Sequence, residues 1–190
     1  MSQTNLRSMM LVLFLVLSLC LPLPTYAKDA AITNFIITNT PENVIIYCRV
    51  INCFTQKMED AILAGIPTTF TFYVELRRER NYWFDKEISS LEIKHTVKYD
   101  TVKKIFYVMR SGSGKEPEQF RDFATAKRVM SNLDGVAVSP MKELVRGRSY
   151  YVTVKAMLDK VRLPLHMEYV LFFVSLWDFE TDLYREDFIY

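Results

Sequence analysis

Residues 68–80 read TTFTFYVELRRER, and residues 90–99 read SLEIKHTVKY. In both stretches apolar and polar side chains alternate with a period of two, the pattern of a β-strand with one buried face. The apolar positions of the two stretches are Phe70, Phe72, Val74, Leu76, Leu91, Ile93, His95, Val97 and Tyr99. We therefore expect an antiparallel hairpin with its turn at residues 81–88.

The charged residues of the two stretches suggest which residues face each other. One pairing places Arg77 opposite Glu92 and Glu75 opposite Lys94. A shift by two residues would instead oppose Glu75 and Glu92. Cross-strand pairs of opposite charge contribute roughly 0.2–1 kcal/mol each, so the first pairing is the predicted register.

Further strands are indicated by short runs rich in β-branched and aromatic residues between turn signals. They are predicted at residues 31–39, 44–54, 102–110, 136–138 and 149–158. In the last of these, alternate apolar residues from Tyr150 to Leu158 share one face. Residues 111–118 (SGSGKEPE) predict a loop, and they lack the flanking residues of a phosphate-binding loop.

Two helices interrupt the strands. The first follows the N-cap Thr55, and Gly65 ends it. The second follows Asp122 and is predicted to end at Asp134-Gly135. The expected buried stripes are Met58, Ala61 and Ile62 in the first helix, and Phe123, Ala126, Met130 and Leu133 in the second. Residues 165–176 are mostly apolar. Periodicity does not separate helix from strand there, and we favour a helix.

Together these elements predict a mainly β (α+β) fold. We expect an antiparallel β-sandwich-like sheet with two or three short helices. The 163 residues after position 27 are enough for a single globular domain, 28–190, with a core of its own.

The N-terminus predicts export. Arg7 precedes the apolar run Met9–Leu21, and the small residues Thr25 and Ala27 flank Tyr26 at its exit. This is the pattern of a secretory signal peptide, residues 1–27, and the run is shorter than the roughly 20 apolar residues of a membrane-spanning helix. The expected location is periplasmic. The alternative is an uncleaved anchor at residues 9–26 that holds the domain on the periplasmic side of the inner membrane.

The charge of the chain argues against nucleic acid as a partner. Without residues 1–27 the chain keeps 23 of its 24 basic residues against 22 acidic ones, a net charge of +1. Nucleic-acid-binding domains carry a strong basic field, which this composition does not provide.

Export would permit a disulfide between Cys48 and Cys53. In one straight strand the two residues would be about 16 Å apart on opposite faces, too far for a bond. Two small buried side chains are therefore expected, and a bend near Asn52 would restore the alternative.

The motifs for catalysis, metal and cofactor binding are weak, so none of these is predicted. No Gly-x-Ser-x-Gly sequence occurs. His95 lies in phase with apolar residues and is expected to be a core histidine with one hydrogen-bond partner. The spacing of Cys48, Cys53, His95 and His166 matches no zinc pattern.

The residues around the hairpin turn are the main candidates for binding. Arg78 and Arg80 fall on the core side beyond the last apolar partner, where arginine either reaches out to solvent or pairs with a buried carboxylate. Trp83 and Phe84 are expected to fold back as a lid over the end of the sheet. Alternatively, the arginines present a site for an acidic peptide or anion.

Four segments carry a resemblance to a known family: VELRRERNYWFDKEI, HTVKYDTVKK, LDKVRLP and DFETDLY. In order and spacing the chain resembles the bacterial domain-of-unknown-function family 4390 from Ala31 to Tyr190. The resemblance implies an exported or inner-membrane-tethered proteobacterial protein without an assigned activity, encoded near sensor kinases of the nitrogen-regulation type. It supplies no catalytic residue.

The resulting functional expectation is a non-catalytic module that binds an envelope protein or peptide. The alternative is a periplasmic carbohydrate-active hydrolase or sugar-binding protein that uses Trp177 and Asp178. The candidate partner-binding residues are Arg78, Arg80, Trp83, Asp85, Trp177 and Asp178.

Overall fold

The computed structural model of the chain describes residues 29–112, 116–159 and 179–190. The strands are β1 (Ala31–Asn39), β2 (Asn43–Ile51), β3 (Thr68–Arg78), β4 (Lys86–Asp100), β5 (Ile105–Arg110), β6 (Glu118–Phe120), β7 (Asn132–Pro140), β8 (Ser149–Leu158) and β9 (Tyr184–Ile189). The helices are α1 (Gln56–Leu63) and α2 (Phe123–Ser131), with a short 3-10 turn at Met141–Glu143.

The strands form two antiparallel sheets that share one hydrophobic core. One sheet has the order β1-β2-β7, and the other has the order β6-β5-β4-β3-β8-β9. Buried residues of both sheets and of both helices belong to a single cluster. The predicted mainly β class with antiparallel sheets and short helices is confirmed.

Strand β3 lies in the interior of the larger sheet, between β4 and β8. Its alternate residues Phe70, Phe72, Val74 and Leu76 are all fully buried. Each such side chain stabilises the fold by about 1.5–3 kcal/mol relative to an exposed one. The alternation in residues 68–80 therefore identifies the central strand.

The predicted register of the β3–β4 hairpin is wrong. Glu75 lies opposite Ser90, and Arg77 lies opposite Glu87 after an irregularity at Leu76. Both registers bury the same face, so apolar burial does not discriminate between them. Arg77 pairs instead with Glu75 of its own strand at 2.9 Å and with Glu87 across the hairpin at 3.3 Å.

Several predicted boundaries also change. The turn of the hairpin is residues 79–85, because β4 already begins at Lys86. Strand β5 begins at Ile105, three residues later than predicted. Strand β2 ends at Ile51, since Asn52 adopts a positive φ of 55° and turns the chain. The short strand β6 was not predicted.

Helix α1 is confirmed with its Thr55 cap and its buried stripe. Helix α2 has the expected Asp122 cap, but it ends at Ser131, and β7 begins at the next residue. Gly135 therefore lies within β7. It has a φ of 70°, and a Cβ there would lie 3.5 Å from the hydroxyl of Tyr47. The Asp-Gly sequence thus marks an irregularity in a strand, where only glycine is unstrained.

Both cysteines and His95 are core residues, as expected. Cys48 and Cys53 are buried and unpaired, despite the bend at Asn52. Burial raises the pKa of each thiol to about 12. The ring of His95 is buried and donates from Nδ1 to the carbonyl of Met130 at 3.0 Å.

Two predicted segments, the apolar run at 9–21 and the helix at 165–176, lie outside the described residues. Within the described ranges, no helix has the length and apolar character needed to cross a membrane.

Candidate functional site

One end of the larger sheet gathers most of the candidate residues, and we call it the hairpin end. It consists of the β3–β4 turn (79–85), the β7–β8 loop (144–148) and the strand ends beside them. Arg78 lies opposite Lys86 on one side and opposite Tyr150 on the other. The backbone N–H of Glu79 donates to the carbonyl of Ser149 at 3.0 Å, which joins the two segments.

The apex of the hairpin end is a run of three exposed aromatic side chains. Tyr82 is 96 % exposed, Trp83 is 75 % exposed and Phe84 is 90 % exposed. The predicted lid of Trp83 and Phe84 is therefore wrong. Because the strands pair up to Arg78 and Lys86, the turn projects beyond the sheet and has no core to cover. The three rings line an open cleft of about 400 Å³.

The base of the turn is held by side chains of the turn itself and of strands β8 and β9. The carboxylate of Asp85 accepts the backbone N–H of Arg80 at 3.2 Å and the hydroxyl of Tyr151 at 2.9 Å. The guanidinium of Arg185 lies 3.7 Å from the centre of the Tyr151 ring and also pairs with Glu79. Burial and the bond to Asp85 raise the pKa of Tyr151. The apex therefore stands on a fixed base.

The acidic side chains of the hairpin end have partners, whereas several basic ones have none among the described residues. Glu79 and Asp187 pair with Arg185, and Glu87 pairs with Arg77. Five basic side chains form no ion pair and no side-chain hydrogen bond with a described residue. They are Arg78, Arg80, Lys86, Arg146 and Arg148. The hairpin end thus presents positive charge around an aromatic apex.

A groove of about 420 Å³ runs along the outer face of the sheet beside the hairpin end. Its lining includes Arg77, Lys155 and Arg185, and each of these is already paired with a carboxylate. The pKa values of Arg77 and Arg185 are raised, chiefly by side-chain hydrogen bonds to Glu75 and Asp187. An anion entering this groove would have to displace existing ion pairs, so the hairpin end is the better site.

The described residues show little of the chemistry of an active site. Among them, no three His, Cys, Asp or Glu residues are grouped in a way that could hold a metal ion. Hydrogen bonds from a turn and from a helix N-terminus lower the pKa values of Asp100 and Asp122. A carboxyl group that acts as a general acid needs the opposite shift.

Four of the six predicted binding residues meet at the hairpin end. Arg78 is half-buried and forms no ion pair with a described residue. Arg80 and Trp83 are exposed, and Asp85 supports the turn. Trp177 and Asp178 lie outside the described residues.

The sequence did not point to Tyr151 and Arg185 as parts of this end. They come from β8 and β9, and only the strand order brings them beside the β3–β4 turn. The sequence does contain a signal for the exposure of Tyr82 and Phe84, because the side chains of three consecutive aromatic residues in a turn cannot all face a core.

The comparisons with known proteins place the chain in a family. No curated protein matches it, and no solved structure matches it. A family model described as "Domain of unknown function (DUF4390)" matches residues 27–187, which is most of the chain and the region of the resemblance. The chain therefore belongs to the DUF4390 family.

Proposed function

We propose that the protein is an exported, non-catalytic docking module of the cell envelope that engages its partner through the hairpin end. The exposure of Tyr82, Trp83 and Phe84 carries this proposal. Large aromatic side chains left in water on a fixed turn are typical of a contact surface, because their burial on binding contributes much of the interaction energy.

The N-terminal segment supports export, and the partner class follows from location. An exported module meets proteins or peptides of the envelope, and the sensor-kinase neighbourhood that the resemblance implies makes the periplasmic part of a membrane kinase one candidate. Arg78, Arg80 and Lys86, which have no ion-pair partner among the described residues, favour a partner with negative charge at the contact.

The proposal is tested by photo-crosslinking in living cells. A photoreactive amino acid at Arg80 should give a discrete protein adduct. The matched control is Val102, which is 89 % exposed in the β4–β5 turn at the opposite end of the sheet. No adduct from position 80, or the same adducts from both positions, would contradict the proposal.

The second candidate, a carbohydrate-active hydrolase or sugar-binding protein, stays a prediction because its residues lie outside the described ranges. The open aromatic cleft at the hairpin end gives it some support, since flat rings can stack on sugars. Release of soluble fragments from cell-wall glycan by the purified protein, lost in Asp178→Asn, would favour it over the docking module.

A further inference from the structure

We infer that the hairpin end docks on an anionic lipid bilayer, with Tyr82, Trp83 and Phe84 entering the interfacial region. The inference rests on the proposed role of the hairpin end as a contact surface. It adds that part of what this surface contacts is the membrane itself.

The aromatic apex has the composition of an interfacial anchor. Tyrosine and tryptophan concentrate at the boundary between lipid headgroups and acyl chains, where the ring is apolar and the hydroxyl or indole N–H stays hydrated. Here Tyr82 and Trp83 are followed by Phe84, and all three side chains are exposed to water. Two further exposed apolar side chains lie at the same end of the sheet: Val145, which is 48 % exposed, and Ile189, which is 77 % exposed.

The charges around the apex fit an anionic surface. The basic side chains without a described partner come from both sides of the hairpin and from the β7–β8 loop, while Glu79, Asp85 and Glu87 are engaged by other groups of the protein. Each basic residue near an anionic membrane surface strengthens binding by about fivefold.

The geometry of the apex also suits contact with a bilayer. The three rings lie at the outermost part of a turn, and the cations extend to a neighbouring loop rather than lining a recess. The hairpin end can therefore contact a flat bilayer surface with its rings and its cations together. The bonds of Asp85 and Arg185 hold the base of the turn, so little conformational freedom is lost when the apex enters the interface.

Tryptophan fluorescence tests the inference on the full chain. The chain has two tryptophans, so Trp177→Phe leaves Trp83 as the reporter at the apex. With vesicles of equal parts phosphatidylglycerol and phosphatidylcholine, Trp83 emission should shift to shorter wavelength, and lipids that carry a quencher should reduce it. Vesicles of phosphatidylcholine alone should cause little shift. The reporter is local, so insertion of residues 9–21 does not produce the signal.

Two variants locate the effect. Changing Arg78, Arg80 and Lys86 together to Ala should weaken the vesicle response on the order of 100-fold. Val102→Ser, a change at the opposite end of the sheet, should leave it unchanged. An unchanged emission with anionic vesicles, or an equal shift with both lipid mixtures, would overturn the inference.

The outcome is separable from that of the proposed function. A protein adduct from position 80 in cells, with no response of Trp83 to vesicles, overturns the lipid contact and leaves the docking module standing. A failure of both experiments overturns both.

Discussion

At the scale of single residues, Trp83 shows how exposure decides the role of a large side chain. The sequence places it after a strand that is buried on one face, which suggested a lid. The structure leaves it 75 % exposed, so it adds little to the core. Arg78, two residues beyond the buried Leu76, is half-buried and forms no ion pair with a described residue.

We therefore predict that Trp83→Ala leaves the free energy of unfolding within about 0.5 kcal/mol of the wild type, as at other exposed positions. Phe72→Ala, which empties a fully buried site, should cost about 3–5 kcal/mol. Urea unfolding of both variants checks this. A loss of 3 kcal/mol in Trp83→Ala would instead support the expectation that Trp83 covers the end of the sheet as a lid.

At the scale of elements, the sequence shows which residues of one strand lie on the same face. It does not show which residues of two paired strands lie opposite each other. Alternation predicted the buried faces of β3, β4 and β8. The predicted register is wrong for two reasons. Residues Lys86–Ile88 read as turn but belong to β4, and Lys94 pairs with Glu92 of its own strand at 2.9 Å. For the same reason, only part of the candidate site could be predicted from the sequence. Its hairpin residues are contiguous, whereas the positions of Tyr151 and Arg185 beside the turn depend on the order of the strands in the sheet.

The hairpin turn as an element depends on Asp85. We expect Asp85→Ala to lower the free energy of unfolding by about 1–2 kcal/mol, because the hydroxyl of Tyr151 and the N–H of Arg80 both lose a charged acceptor. The matched control is Glu87→Ala, which removes an exposed ion pair at 3.3 Å and should cost less than about 0.5 kcal/mol. Thermal unfolding compares them, and equal losses would show that Asp85 is an ordinary surface charge.

At the scale of the whole molecule, one core joins two sheets, and His95 is a titratable group inside it. Burial among apolar groups lowers the pKa of His95 below its ordinary 6.5, and the bond to the carbonyl of Met130 only partly opposes this. Between the folded pKa and pH 6.5, the unfolded chain therefore binds a proton at His95 that the folded chain does not bind. The stabilisation by the neutral ring is complete above pH 6.5 and is lost as the pH falls towards the folded pKa.

The resulting prediction is a decline in stability between pH 6.5 and the folded pKa of His95, with a slope of up to about 1.4 kcal/mol per pH unit. Asp100 and Asp122 contribute in a separate window, because their lowered pKa values matter only below about 3.8. Urea titrations from pH 7.5 to pH 5 measure the slope. His95→Gln, which keeps a donor for Met130, should flatten it, and an unchanged slope in this variant would refute the assignment.

The burial of Cys48 has a consequence for the timing of folding. Cys48 lies on β2 opposite Leu133 of β7, a strand from far along the chain. Until β7 docks, the smaller sheet is unfinished and the thiol is open to oxidation. In the exported protein that we propose, folding competes with oxidation of the exposed thiol. Antiparallel sheets whose paired strands are distant in sequence fold slowly. Once β7 has docked, burial in the finished sheet shields the Cys48 thiol from oxidants in the solvent.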